Sequence, residues 1–526
     1  MIPDTSGRVQ LTVRHQGSSA GVTMAPAPAV ACGFQEMAES KIVVPGGGPW
    51  QLRIDDESIP QEDGVWCWQP GFFAGEVGAE LVGADGEVAE VYRLDVSPDP
   101  DKLGQPRFRA LLDEIEAEAP ALLAGTEPST TVLGADAPLE GVLETLVAFS
   151  RLRHHAQPFI RAVWHASRQP RTVTRTTRAV VDLHRARRVD AQTVRTLARG
   201  RAAALMVDPE GLEDVRDADS PARADVPWRE TTVDCAANRC VVAIMGLVRR
   251  RVHEVRESLR AQTGAERSET RWALDGRLSH RIQLLDELDG ELWRLLRSEP
   301  WRQVSRPEIT AAGLNALAAD PRYASVNQLG WKSLRQGVGG ASAEDRVWLS
   351  PTWEIFERWC FVRLSRLVRE RHPDLRWVRH ASATAPGGAL AAWVGRRDDV
   401  ELAVVLQPHF PSRDQSLASP LRSVSRERWP DLIVLATRGA TRRWAALDAK
   451  YRRARQYVLE AMESAHIYRD SLRWLGQRAN VSLLFVPAEP GAGWLTDPRF
   501  HEEERVGAWV LDGALPPALV EVLGPW

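Results

Sequence analysis

Lysine is nearly absent from this 526-residue chain, which carries four (Lys41, Lys102, Lys332 and Lys450) against sixty-three arginines. Positive charge therefore sits on planar, permanently protonated guanidiniums. Each remaining ammonium stands out as a compact group with a tunable pKa. Cysteine is also scarce: Cys32, Cys67, Cys235, Cys240 and Cys360 are scattered and odd in number. No pair has zinc-finger spacing with a second pair or with histidines, which argues against a zinc site or a disulfide framework. No apolar run reaches membrane-spanning length. The first residues include Asp4 and Arg8 and no apolar core, so no signal peptide is expected and the expected location is the cytoplasm. Gly46-Gly47-Gly48 lacks the lysine and hydroxyl of a phosphate loop, and no Walker A motif occurs elsewhere. No repeat at a fixed period is visible. What is present, 44% apolar and 26% charged residues with a net charge of −3, is the composition of a globular protein. The length predicts roughly two to four domains.

Periodicity divides the chain into three regions. Residues 1–110 read as β-rich: Arg8–Arg14 alternates, Lys41–Val44 ends at a Pro-Gly-rich breaker, and Val88–Val96 is half-buried in pattern. Residues 111–340 read as mainly helical. The helical period begins at Phe108, with Leu111, Leu112, Ile115 and Ala119 on one side and Asp113, Glu114, Glu116 and Glu118 on the other. Leu139–Leu152, Val233–Gln262 and Arg277–Leu296 continue it. Residues 341–526 read as an α/β domain with a mixed central sheet. The expected fold class is thus multidomain α+β.

The most basic stretch, Arg161 to Arg201, holds eleven arginines and two acids, Asp182 and Asp190. Neutralising phosphates is one reading, with Arg171, Arg175 and Arg178 as candidates. Pairing of solvated faces with the acidic Asp113–Glu118 helix is the other. Phe159 and Trp164 are too few to suggest a base-stacking platform.

Chemistry concentrates in the last third. Ser350-Pro351 reads as a helix start, serine at the N-cap and proline at N1, and His372-Pro373 as its end. On that helix Glu354 faces Arg358 at i+4, an ordinary surface pair. Glu357 instead shares an apolar face with Trp353, Cys360 and Leu364. A carboxylate there needs a partner or becomes neutral. Strand-like segments follow at Leu375–His380, Leu390–Val394 and Val400–Leu406. Next comes a long arginine-bearing loop, Gln407–Glu427. Two short apolar runs then stand together, Trp429-Pro430-Asp431-Leu432-Ile433-Val434-Leu435 and Trp444-Ala445-Ala446-Leu447-Asp448-Ala449-Lys450. Ala436–Arg443 between them reads as a hairpin loop. Pairing these strands would bring Asp431 and Asp448 together, and Lys450, two residues on, would share Asp448's face. Adjacent carboxylates repel, and a hard cation such as Mg²⁺ (or Mn²⁺) with oxygen ligands removes that cost. A lysine beside it could orient a water or stabilise developing phosphoryl charge. Asp431 as a turn cap and Lys450 as a strand-end side chain reaching solvent is the plainer alternative. A helix, Tyr457–Trp474, and strands at Val481–Pro487 and Ala508–Leu511 complete the domain.

Pro-Asp, sixteen residues, then Asp-x-Lys resembles the PD-(D/E)xK phosphodiesterases of restriction-endonuclease-like fold. Asn238-Arg239, opening the helix after Asp234, resembles the start of the helical region of DUF2357 proteins, which carry it ahead of such a nuclease domain. Ala237 stands where that motif has glutamate, so Asn238 and Arg239 are assigned structural or DNA-facing roles only. The resemblance implies a McrC-like, metal-dependent DNA endonuclease in restriction or anti-phage defence. It implies Asp431, Asp448, the Ala449 backbone carbonyl and Glu357 as metal ligands and Lys450 as the group acting on water. Glu-x-Trp around Glu357 and His-x-Tyr-Arg-Asp at 466–470 also resemble that family. The second places Tyr468 and Arg469 towards nucleic acid. A separate AAA+ or other motor NTPase is the implied partner, with no membrane. A catalytically degenerate nucleic-acid-binding or scaffold subunit and an RNA-directed nuclease are the competing readings.

Overall fold

The computed structural model describes residues 9–18, 20–132, 142–198, 223–264, 269–335, 346–381, 384–414 and 419–524. Arg8, the start of the expected Leu139 helix, Arg199, Arg201 and the boundary near Ala341 lie outside them. The chain packs as two compact units that do not follow chain order. One comprises residues 1–147, 259–281 and 337–526, and the other 148–258 and 282–336.

In the first unit the β-rich expectation holds. A five-stranded sheet includes Leu11–His15, Ser40–Val43 and Val65–Trp68. A second sheet is built around Gly75–Val82 and Val88–Ser97. Leu11, Ile42, Leu52, Trp66, Leu81 and Leu94 fill the space between them. Thr130–Val132 pairs with Arg346–Trp348, so the chain entering the last third adds a strand to this sheet. The helix expected from Phe108 runs from Gly104 to Glu118 and buries Phe108, Leu111 and Ile115. Two of its acids pair with arginines of the last third. Glu114 lies 3.6 Å from both Arg363 and Arg366, and Glu118 pairs with Arg369.

The last third forms a seven-stranded mixed sheet in the order Arg376–Ala381, Ala391–Arg397, Val400–Leu406, Leu432–Arg438, Thr441–Ala449, Val481–Val486, Val506–Val510. The first five pair antiparallel and the last two join in parallel. Its central strands are apolar on both faces because helices and loops cover both. Leu402, Val404, Leu432, Val434, Ala445 and Leu447 pack on the side of the Thr352–Arg371 helix. On the other side Val458, Met462 and Ala465 of the Arg455–Ser471 helix meet Leu484 and Val486.

Several local expectations change. The hairpin loop is two residues, Gly439-Ala440, since Arg438 already pairs with Thr441. Gly439 takes a positive φ of 56° there. Thr352, not Pro351, opens the next-to-last long helix, because Ser350 spends its hydroxyl on the Ala124 carbonyl. Glu354–Arg358 is no surface pair. Arg358 is wedged inward and also donates to Leu122 O at 2.7 Å and Ala124 O at 3.1 Å. The helix expected over Tyr457–Trp474 stops at Ser471, and Leu472–Trp474 forms a strand with Leu421–Ser423 from the long loop.

The second unit carries helical stretches, as expected, but also a ribbon of Val173–Asp182 against Arg223–Thr232. Val173–Asp182 is exposed or half-buried throughout, with no buried apolar stripe to mark it as a strand.

Candidate active site

Register builds the site. Leu432 pairs with Leu447, which sets Asp431 opposite Asp448 at the end of the two central strands. With a side-chain period of two, Asp431, Asp448 and Lys450 face the same layer, that of the Arg455–Ser471 helix. Lys450 Nζ lies 2.7 Å from Asp448 Oδ2 and 3.9 Å from Asp431 Oδ2. Asp448 Oδ2 also accepts the Ser464 hydroxyl at 2.5 Å. Asp448 is fully buried, and among the described residues its Oδ1 is enclosed without a hydrogen-bond partner. Asp431 Oδ2 accepts the Ala449 N–H at 2.7 Å.

Glu357 enters from the helix on the other face. It is 3% exposed, and the group it meets is an amide: Gln407 Nε2 donates to Glu357 Oε1 at 2.8 Å. Gln407 holds a left-handed backbone, φ 52°, a costly conformation for a residue with a side chain. Its N–H donates to the Asp431 carbonyl at 2.7 Å, so one residue ties Glu357 to Asp431. Sequence reading placed Gln407 only as the start of a loop and passed over Ser464. A polar residue ending the all-apolar run Val400–Leu406 was the available signal for the first. Nothing in the helical pattern marked the second.

The electrostatics follow from crowding. Burial pushes the Asp431 carboxyl well up, the charges of Asp448 and Glu357 push it further, and Lys450 opposes them. Burial likewise pushes Glu357 up, to about 7, against the Gln407 hydrogen bond. For Lys450 burial disfavours the charge, but Asp448 and Asp431 outweigh it and leave the ammonium above its ordinary value. Acidic groups therefore outnumber the one ammonium in a largely buried cluster.

That excess fits a divalent cation. Asp448 Oδ1, buried and unpartnered, is an oxygen ligand in waiting. Asp431 and the Ala449 peptide are in contact with each other. Among the described residues no three His, Cys, Asp or Glu side chains already form a cation cage. The donor set is two carboxylates plus a backbone carbonyl, which suits Mg²⁺, an ion that keeps several of its waters.

A cavity of about 310 Å³ opens onto Lys450, lined also by Arg426, Arg428, Arg452, Ser464 and Tyr468. Burial raises the Tyr468 phenol, and the Asp448 and Asp431 charges add to it. Its hydroxyl donates to the Trp429 carbonyl at 3.3 Å. Arg469 lies on the same helix, in its last turn. The β-rich region braces the segment after Lys450. The Tyr451 hydroxyl donates to Glu36 Oε1 at 2.9 Å, and Lys102 Nζ sits 4.9 Å from the Tyr451 ring centre.

The other candidates belong to the chain's second unit. Arg178 is held by Asp190 at 2.8 Å and Asp225 at 2.7 Å, and Arg171 donates to the Ala316 carbonyl at 2.6 Å. Arg175 is exposed. Asn238 is buried and donates to Arg171 O at 2.9 Å and Val233 O at 2.6 Å, while Tyr323 donates to it at 2.8 Å. Asp234 grips Arg239 at 2.7 Å. Asn238 and Arg239 are therefore structural.

The sheet, its flanking helices and the acid pair define a mixed α/β protein with a buried carboxylate–lysine centre. Comparison with known proteins adds the following. The family DUF2357, a domain of unknown function, matches residues 73–318. The match begins inside the β-rich region, earlier than residue 111, and ends ahead of Glu357. No curated protein matches. A solved chain from the refined half-complex of the tetradecameric assembly of Thermococcus gammatolerans McrB AAA+ hexamers with bound McrC is similar at 11% identity. The alignment covers 88% of this chain and 83% of that chain, with a TM-score of 0.21, a likeness that carries no argument. Among the described residues no helix is long and apolar enough to cross a membrane.

Proposed function

We propose that this chain is a Mg²⁺- or Mn²⁺-dependent nuclease that hydrolyses phosphodiester bonds in DNA, with a last third of PD-(D/E)xK, restriction-endonuclease-like type. The observation that carries the reading is the pairing of Asp431 with Asp448 across adjacent strands, with Lys450 Nζ within 2.7 Å and 3.9 Å of them. Asp431, Asp448 and the Ala449 carbonyl would hold the metal, which supplies Lewis acidity when bound. Lys450 holds its proton between the acids and presents a positive charge to the cavity, where it can orient a water and steady a phosphoryl oxygen. Gln407 fixes Glu357 behind the pair. Glu357, half protonated near neutrality, can hold or release a proton as charge at the site changes. A separate AAA+ or other motor NTPase and a role in restriction or anti-phage defence belong to the same proposal and rest on the family resemblance alone.

Plasmid DNA, single-stranded DNA and RNA, each with and without Mg²⁺, test it. DNA should be cut only with metal. Cleavage of RNA alone would replace DNA as substrate. No cleavage of any substrate with Mg²⁺ or Mn²⁺ would leave the degenerate binding subunit as the better reading.

A further inference from the structure

The segment leading into Asp431 carries groups that the proposed chemistry does not use. Trp429 is 52% exposed although one face of its indole is already covered: the ring stacks on His409 at 5.0 Å and 17°. His409 is steadied by Glu427 at 3.3 Å, and the backbone pair between Phe410 and Arg428 holds the two rings in place. The Tyr468 hydroxyl anchors the Trp429 carbonyl. The indole is thus a propped, rigid apolar plate, two residues from a metal-ligand candidate. Exposing its other face costs hydrophobic free energy.

Arg426 and Arg428 precede it and line the cavity that holds Lys450. Among the described residues neither guanidinium has an acidic partner, and Arg428 Nε is buried without any hydrogen bond. Glu460 and Glu463 also line the cavity, but Glu460 lies 3.9 Å from Arg452. An unpaired guanidinium pair beside a lysine calls for anions. A bare aromatic plate calls for a flat apolar face. Phosphate and nucleobase together supply both. In an intact duplex each base face is hidden by stacking, so only an unpaired base can reach the plate.

We propose that Arg426–Trp429 is a strand clamp selective for single-stranded DNA: Arg426 and Arg428 take phosphates and Trp429 stacks an unpaired base beside the cleavage point. Only the placement of the scissile bond rests on the nuclease reading. The clamp itself is a binding site and can be tested without catalysis.

The test measures binding in EDTA, using a short single-stranded DNA with 2-aminopurine as probe and the matching duplex as comparison. The intact protein should bind the single strand more tightly than the duplex and quench the probe. Trp429→Ala should weaken single-strand binding about tenfold, abolish the quench and leave duplex binding unchanged. Trp429→Phe should keep most of the affinity, which separates stacking from misfolding. Arg426→Ala and Arg428→Ala should each flatten the salt dependence by about 0.7 in logarithmic slope. Equal loss for strand and duplex in Trp429→Ala, or no loss at all, would overturn the clamp whatever the protein cleaves. Intact clamp behaviour with no metal-dependent cleavage would instead sink the nuclease reading and leave the clamp standing.

Discussion

Replacing Glu357 by glutamine isolates the electrostatic load of the metal-free site. The carboxyl is 3% exposed and its pKa is pushed from an ordinary 4.5 to about 7. The folded protein therefore binds this proton more tightly than the unfolded chain. The stabilisation is fully present below pH 4.5, falls by about 1.4 kcal/mol per pH unit as the pH rises, and is lost above about 7. The whole swing is on the order of 3 kcal/mol, a large share of the stability of a typical domain. Glutamine has the same shape, keeps an oxygen to accept from Gln407 Nε2, and has no proton to lose. In EDTA, denaturant unfolding of the parent and of Glu357→Gln should give near-equal stability at pH 5. The variant should become more stable by about 2–3 kcal/mol at pH 8. Parallel stability profiles from pH 5 to 8 would refute the argument, because they would mean that Glu357 ionises as easily folded as unfolded.

Lys450→Arg keeps the charge but brings a bulkier, planar group that does not give up its proton; the variant should melt near the parent and lose DNA cleavage, and full activity would show that any cation serves there. Tyr451→Phe deletes the 2.9 Å bond to Glu36 and leaves a buried acceptor short of a donor, so unfolding should cost about 1–3 kcal/mol less; an unchanged melting curve would remove the brace from the β-rich region. Arg178→Ala should leave the salt dependence of DNA binding unchanged, since Asp190 and Asp225 already occupy that guanidinium; a flatter slope by about 0.9 would return it to the phosphate-binding candidates.

The acid pair was legible because two apolar runs of strand length flank a turn, and strand pairing then fixes which residues face each other. Lys450 was legible because lysine is so rare here that its position carries information. Glu357 stood out as a charge on an apolar helical face, but its partner did not. Gln407 reaches it only because strand and helix meet at the sheet's end, a contact with no sequence period. Ser464 is one polar residue among many on its helix. The burial of Arg358 depends on the Leu122–Ala124 carbonyls, more than two hundred positions away. In the arginine-rich stretch composition could not show that Arg178 meets Asp225, which lies outside that stretch. The ribbon joins strands distant in the chain and Leu472–Trp474 is very short, so their pairing was decided by tertiary contact.

The proposed nuclease requires that Asp431 and Asp448 hold a divalent cation beside Lys450. Calorimetric titration of Mn²⁺ into the metal-free parent, Asp448→Ala and Lys450→Ala tests it most directly. The parent should bind Mn²⁺, Lys450→Ala should bind it at least as well because a competing cation is gone, and Asp448→Ala should lose the site. Undiminished binding in Asp448→Ala, or none in the parent, would contradict the account.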